Sequence, residues 1–182
     1  MGLRNRNQFL HYNCFFVTTT CIHWKKLIHL ANAYDILIDS LKFVNEKYKT
    51  DILGYVLMPN HIHLIVYFKK CNELSNYMRD FKKFTSTKIR QRIDEAGHTK
   101  LLNELRNNAP NRAFQVWKDR FDDLYLKNRT LLETKLNYIH MNPLQEHWDL
   151  AKHPTDYKWS SAEFYENGKQ NKLQVVHYLE YF

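Results

Sequence analysis

The chain has 182 residues, enough for one domain with a real hydrophobic core, and 27 Lys plus Arg against 19 Asp plus Glu leave a formal charge of +8. That balance points to a polyanion as partner, because phosphates neutralised by cationic side chains release counterions. No run of about 20 apolar residues is present to span a membrane, no apolar signal segment opens the chain, and Cys14, Cys21 and Cys71 make neither a CxxC pair nor an even set, which favours a reducing, cytoplasmic setting.

Residues 13–20, Asn-Cys-Phe-Phe-Val-Thr-Thr-Thr, are aromatic and β-branched and predict a first strand. Residues 27–48 carry Leu27, Leu30, Ala31, Tyr34, Leu37, Ile38, Leu41 and Val44 at three- and four-residue steps, which predict one long amphipathic helix. Residues 51–58 and 61–68 are apolar runs separated by Pro59-Asn60, a hairpin signal. A second helix is expected over 74–94, with Leu74, Tyr77, Met78, Phe81 and Ile89 beside the cations Lys82, Lys83, Lys88, Arg90 and Arg92. Residues 97–112 are polar, with a short helical pattern at Leu101, Leu102 and Leu105, and are expected to form an exposed insertion. Residues 114–117 and 121–126 are candidate extended pieces, and Asn128 is positioned to cap a helix that Pro143 stops near Met141. Residues 150–182 are expected to be a C-terminal extension, irregular apart from a short closing helix. Strand, helix, hairpin, helix, strand predicts an α+β fold: a ferredoxin-like antiparallel sheet with helices packed on one face, in a single domain spanning 1–182.

His61 and His63 open the second hairpin strand. Strand side chains alternate with period two, so both imidazoles share a face while Ile62 points the other way, and two neutral imidazoles on one face suit a divalent metal. Chance alone would give about half of one such pair, a risk that attends every short motif. The rest of the chain must therefore supply a third ligand and a nucleophile. Tyr138 and Asn142 lie one helical turn apart and project from nearly the same face, in a partly polar stripe with Lys135. His61, His63 and the Asn142 side-chain oxygen make a three-ligand set with open positions for phosphate oxygens. Tyr138 is then placed to attack phosphorus. A tyrosine hydroxyl, with a pKa of about 10, is a weak nucleophile but a competent leaving group in the reverse step, the logic of strand transfer rather than hydrolysis. The alternative at this stage is that Tyr138 packs its ring on the sheet and Asn142 merely ends the helix ahead of proline.

Four ordered blocks carry a resemblance: Met58-Pro59-Asn60-His61-Ile62-His63, Val116-Trp117-Lys118-Asp119-Arg120-Phe121, Tyr138-Ile139-His140-Met141-Asn142-Pro143 and Trp159-Ser160-Ser161. Together they resemble the single-tyrosine HUH transposases, the IS200-like group, in the branch associated with repetitive extragenic palindromes (REP). The resemblance implies a Mg or Mn ion on His61 and His63 with Asn142 as third ligand, and Tyr138 as the nucleophile. It implies cleavage and rejoining of single-stranded DNA near a hairpin or palindrome through a covalent 5′-phosphotyrosine. Relatives of this kind are monomers or homodimers that exchange the tyrosine helix, and the longer 97–112 segment and the tail leave that choice open. Either way, the helix bearing Tyr138 is expected to lie against the His61 and His63 face.

Lys118, Arg120, Arg129 and Lys135 are expected to contact DNA phosphates, with Lys82 and Lys83 either tracking the backbone or forming a solvated face. His140 is on the far side of its helix from Tyr138 and is not expected to be a ligand. Trp117 and Trp159 are assigned to core packing over base stacking. Two competing functions remain: a non-catalytic nucleic-acid-binding protein on the same fold, and a zinc hydrolase, which lacks a carboxylate base near His61.

Overall fold

The computed structural model describes residues 13–109 and 112–182. Four strands, β1 (Cys14–Thr20), β2 (Thr50–Leu57), β3 (His61–Phe68) and β6 (Asp122–Tyr125), form an antiparallel sheet in the order β2-β3-β1-β6. β1 and β2 run parallel with β3 between them, the split arrangement that the element order predicts. The hairpin turn is fastened from outside: Pro59 O accepts from the Ile28 and His29 amides, and Asn60 O accepts from Cys21 N at 2.7 Å.

Alternation along β3 divides the interior in two. Ile62, Leu64, Val66 and Phe68 face a core shared with α2 (Tyr34–Tyr48) and α3 (Leu74–Glu95), whose buried stripes include Leu37, Ile38, Leu41 and Tyr77, Met78, Phe81. These two helices form the expected layer on one face. They are joined at Asp80, which accepts from Lys47 Nζ and Tyr48 Oη, both at 2.6 Å. His61, His63 and Ile65 face the other way, toward α5 (Arg129–Met141), which buries Leu132, Leu136 and Ile139 against Leu53, Val56 and Ile65. Asn128 caps α5 as its position suggests, accepting from Leu131 N at 2.9 Å.

The single helix expected over 27–48 is broken. A short α1 (Leu27–Leu30) stops ahead of Asn32, whose φ of 44° turns the chain before α2 begins. Asparagine tolerates that left-handed conformation better than most residues, and the apolar spacing on both sides hides the break. The 97–112 segment folds as α4 (Thr99–Glu104) and a two-stranded ribbon, β4 (Arg106–Ala109) and β5 (Arg112–Phe114). Much of it is exposed, but Leu105 inserts into the main core.

The tail covers the open edge of β2. Leu57 N donates to Trp159 O, Ser161 N donates to Tyr55 O, and Val176 N donates to Ile52 O. α6 (Ala162–Asn167) follows, and Tyr165 Oη reaches Leu53 O at 2.6 Å. Ser161 Oγ accepts from Tyr55 N at 3.0 Å and lies 2.8 Å from His140 Nε2, so the Trp-Ser-Ser block fastens α5 to the sheet edge. Tyr178 adds a bond to Glu133 on α5 at 2.7 Å.

Gly54 sets how closely α5 approaches. A Cβ there would stand 2.6 Å from Leu136 Cδ1 and 3.1 Å from Ile139 Cδ1, at an irregularity in the β2 register. Gly54→Val is expected to push α5 outward, to lower stability by about 1–3 kcal/mol as overpacking does, and to weaken any activity that needs Tyr138 at the His pair. Denaturant melts and a nuclease assay on the same preparation check this; unchanged values in both would show that α5 does not depend on that contact.

Candidate active site

β3 and α5 bring His61, His63, Tyr138 and Asn142 into one cleft of about 770 Å³. The helix bearing Tyr138 lies on the His face, within the same chain. The Tyr138 ring is 5.3 Å from the His63 ring and 6.1 Å from Phe16, edge to face with both, and the His61 and His63 rings are 4.7 Å apart. Tyr138 itself is 41% exposed and lines the cleft, while Phe16 and His63 pack against its ring. Asn142, at the C-terminal end of α5, is buried.

Each imidazole is oriented by a partner on its Nδ1. Asn60 donates its side-chain NH₂ to Trp24 O at 2.9 Å, which turns Asn60 Oδ1 toward His61 Nδ1 at 2.6 Å. A carbonyl oxygen only accepts, so His61 carries its proton on Nδ1 and leaves the Nε2 lone pair free. His63 Nδ1 is 2.7 Å from Thr18 Oγ1, its cross-strand neighbour on β1. Burial lowers both rings, His61 to about 4, helped by His147, and His63 to about 3, helped by His61 and Lys135. Both are therefore neutral at pH 7.

The donor set fits a divalent cation. Among the described residues, four buried side-chain polar atoms have no hydrogen-bond partner, and two of them are His63 Nε2 and Asn142 Oδ1. The Asn142 amide faces His61 closely enough to favour its protonated form, yet its oxygen is left without a hydrogen bond. Unpaired buried lone pairs cost about 1–3 kcal/mol each, and a cation relieves that cost. One amide oxygen and two imidazole nitrogens, each ring tied back through its other nitrogen, suit a divalent cation.

The predicted cations divide. Lys118, Arg120 and Lys135 line the cleft, Lys135 with its ammonium 5.6 Å from the Tyr138 ring. Lys82 instead donates to Lys118 O and Asp119 O at 2.7 and 2.9 Å, holding the loop that presents Lys118. Lys82 and Lys83 line a separate groove between α3 and β5. Arg129 pairs with Glu133 and covers the Tyr178 ring, outside the cleft. His140 is buried on Ser161, Trp117 donates to Thr85 in the core, and Trp159 stacks on Tyr34. Asn60, Thr18, Lys26, Trp24 and Trp148 also border the site and were missed. Asn60 could have been found, since it precedes His61 and ends a turn; the others carry no local pattern.

The family model described as Transposase IS200 like matches residues 11–142. A solved structure of a REP-associated tyrosine transposase bound to a REP hairpin is similar to this chain at 19% identity and a TM-score of 0.64, covering 97% of this chain and 92% of that one. A crystal structure of a candidate transposase from Deinococcus radiodurans R1 matches at 14% identity and a TM-score of 0.43, covering 76% of this chain and 95% of that one. No curated protein matches. The first likeness shows the fold.

Proposed function

This chain belongs to the IS200-like transposase family, and from that premise we propose that it cleaves and rejoins single-stranded DNA beside a hairpin, with Tyr138 as nucleophile. The observation that carries the proposal is the part-exposed Tyr138, its ring against His63, in a cleft bordered by Lys118, Arg120 and Lys135. The hairpin comes to the proposal from the relative solved with one.

In this reading Lys118, Arg120 and Lys135 draw the strand in and neutralise its phosphates. The Tyr138 oxygen attacks phosphorus, the bond to the 3′ oxygen breaks, and a 5′-phosphotyrosine forms. The phenolic proton leaves to solvent and the departing 3′ oxygen takes one up. Attack by a 3′ hydroxyl on that ester reverses the exchange and rejoins the strand, with Tyr138 as leaving group. His61, His63 and Asn142 would hold a Mg or Mn ion, which when bound polarises the phosphate as a Lewis acid. Asn60 and Thr18 keep the two rings in the ligating orientation.

Incubation with hairpin-bearing single strands and Mg or Mn is expected to give a protein–DNA adduct stable to denaturant. Salt-sensitive DNA binding with no adduct across a panel of hairpins would favour the non-catalytic alternative. Thr18→Val is expected to weaken Mn affinity about 10- to 100-fold, as loss of a partner behind a histidine ligand does. Calorimetric titration checks it, and unchanged affinity would remove Thr18 from the site.

A further inference from the structure

We propose that Trp24 is a base-stacking platform that grips an unpaired nucleotide of the strand entering the cleft, with Trp148 as a second aromatic wall beside His61. The proposal rests on the nucleic-acid substrate argued above. Trp24 is 61% exposed, unusual for so large an apolar ring, and it lines the same cleft as His61 and Tyr138. Nothing in the folding of the chain requires that exposure. Its backbone is nevertheless held in a costly conformation: His23 and Trp24 both have positive φ, 52° and 56°. The turn is held by Ile22 N on Val116 O and Lys25 N on Ile22 O.

Charge selects the occupant. The Lys118 ammonium lies 3.9 Å from the Trp24 ring centre, and Lys26 lies 5.4 Å from that of Trp148. Each ammonium sits over one face of its indole, and the remaining exposed surface of Trp24 suits a base whose phosphate the lysine meets. Asp122 is the single carboxylate bordering the cleft among the described residues, so an acidic strand meets little repulsion. Trp148 stands 5.8 Å from the His61 ring. The Trp24 turn is also tied to the reacting centre, because Trp24 O holds Asn60 and Asn60 holds His61. A base seated on Trp24 is therefore registered against the scissile phosphate. Such stacking tolerates many sequences, since every base has a π-face.

The test uses a fluorescein-labelled mixed-sequence 12-nucleotide single strand, its duplex, and copies of the single strand with one abasic position each. Anisotropy is expected to show single-strand binding weakened about 5- to 150-fold in Trp24→Ala, the range that one stacked base supplies. Trp24→Phe should recover most of the loss, and duplex binding should be unchanged. One abasic position should weaken the wild type and leave Trp24→Ala unaffected. Trp24→Ala binding the single strand as tightly as wild type, or losing single strand and duplex equally, would overturn the stacking role alone. A wild-type chain that binds no single-stranded DNA would overturn the proposed function, and the platform with it. Circular-dichroism melts of both variants, expected to match wild type, separate these outcomes from unfolding.

Discussion

Tyr138→Phe is expected to abolish the covalent protein–DNA adduct, a loss on the order of 10⁴-fold or more in cleavage, while binding of the same hairpin strand persists. The substitution is unusually clean at this position. The ring is held edge to face by Phe16 and His63 and sits under Lys135, contacts that phenylalanine retains. Only the oxygen is removed. Denaturing gels of radiolabelled DNA report the adduct, and peptide mapping of the wild-type adduct reports its site. An adduct of undiminished yield in the variant, on another of the 12 tyrosines, would end the assignment.

The second large effect concerns the ligands. With Mn at a hundredfold excess over its dissociation constant, a ligand that binds only the folded chain adds about 2.7 kcal/mol of stability. The wild type is expected to gain that increment, and His63→Ala to gain none. His63 is the sharper choice of the two histidines because its Nε2 is buried without a partner. Any metal effect that survives its removal must come from somewhere else. Thermal melts with and without Mn, each variant referred to its own metal-free melt, read the difference directly. Equal Mn-dependent shifts in wild type and variant would exclude the proposed centre. Cleavage should fail in the same variant even though Tyr138 is intact.

Much of this site was legible because its residues obey short periods. Period two in His61-Ile62-His63 put both rings on one face, and the four-residue step from Tyr138 to Asn142 put phenol and amide on one stripe. The ferredoxin-like order followed from alternating strand and helix patterns. What escaped was structure without a period. The apolar phase of 27–48 runs across the break at Asn32, because one turn residue does not disturb a spacing of three or four. The tail from Trp159 onward pairs with β2 through backbone groups, which leave no trace in side-chain type. Trp24 and Trp148 come together with the His pair only through tertiary folding. Among the cations, Lys118 and Arg120 belong to a block adjacent in sequence to β6, whereas Arg129 points away because the cap at Asn128 starts α5 at the tail side.

The family match ends at residue 142, but the contacts that steady the tyrosine helix continue beyond it, at Ser161 and Tyr178. The stretch of chain recognisable by descent and the stretch that supports itself mechanically are thus different lengths. Residues 157–178 act as scaffolding for a motif they do not contain. Sequence change in the tail can therefore alter the aim of Tyr138 without touching His61, His63, Tyr138 or Asn142, a route by which relatives with identical site residues differ in efficiency.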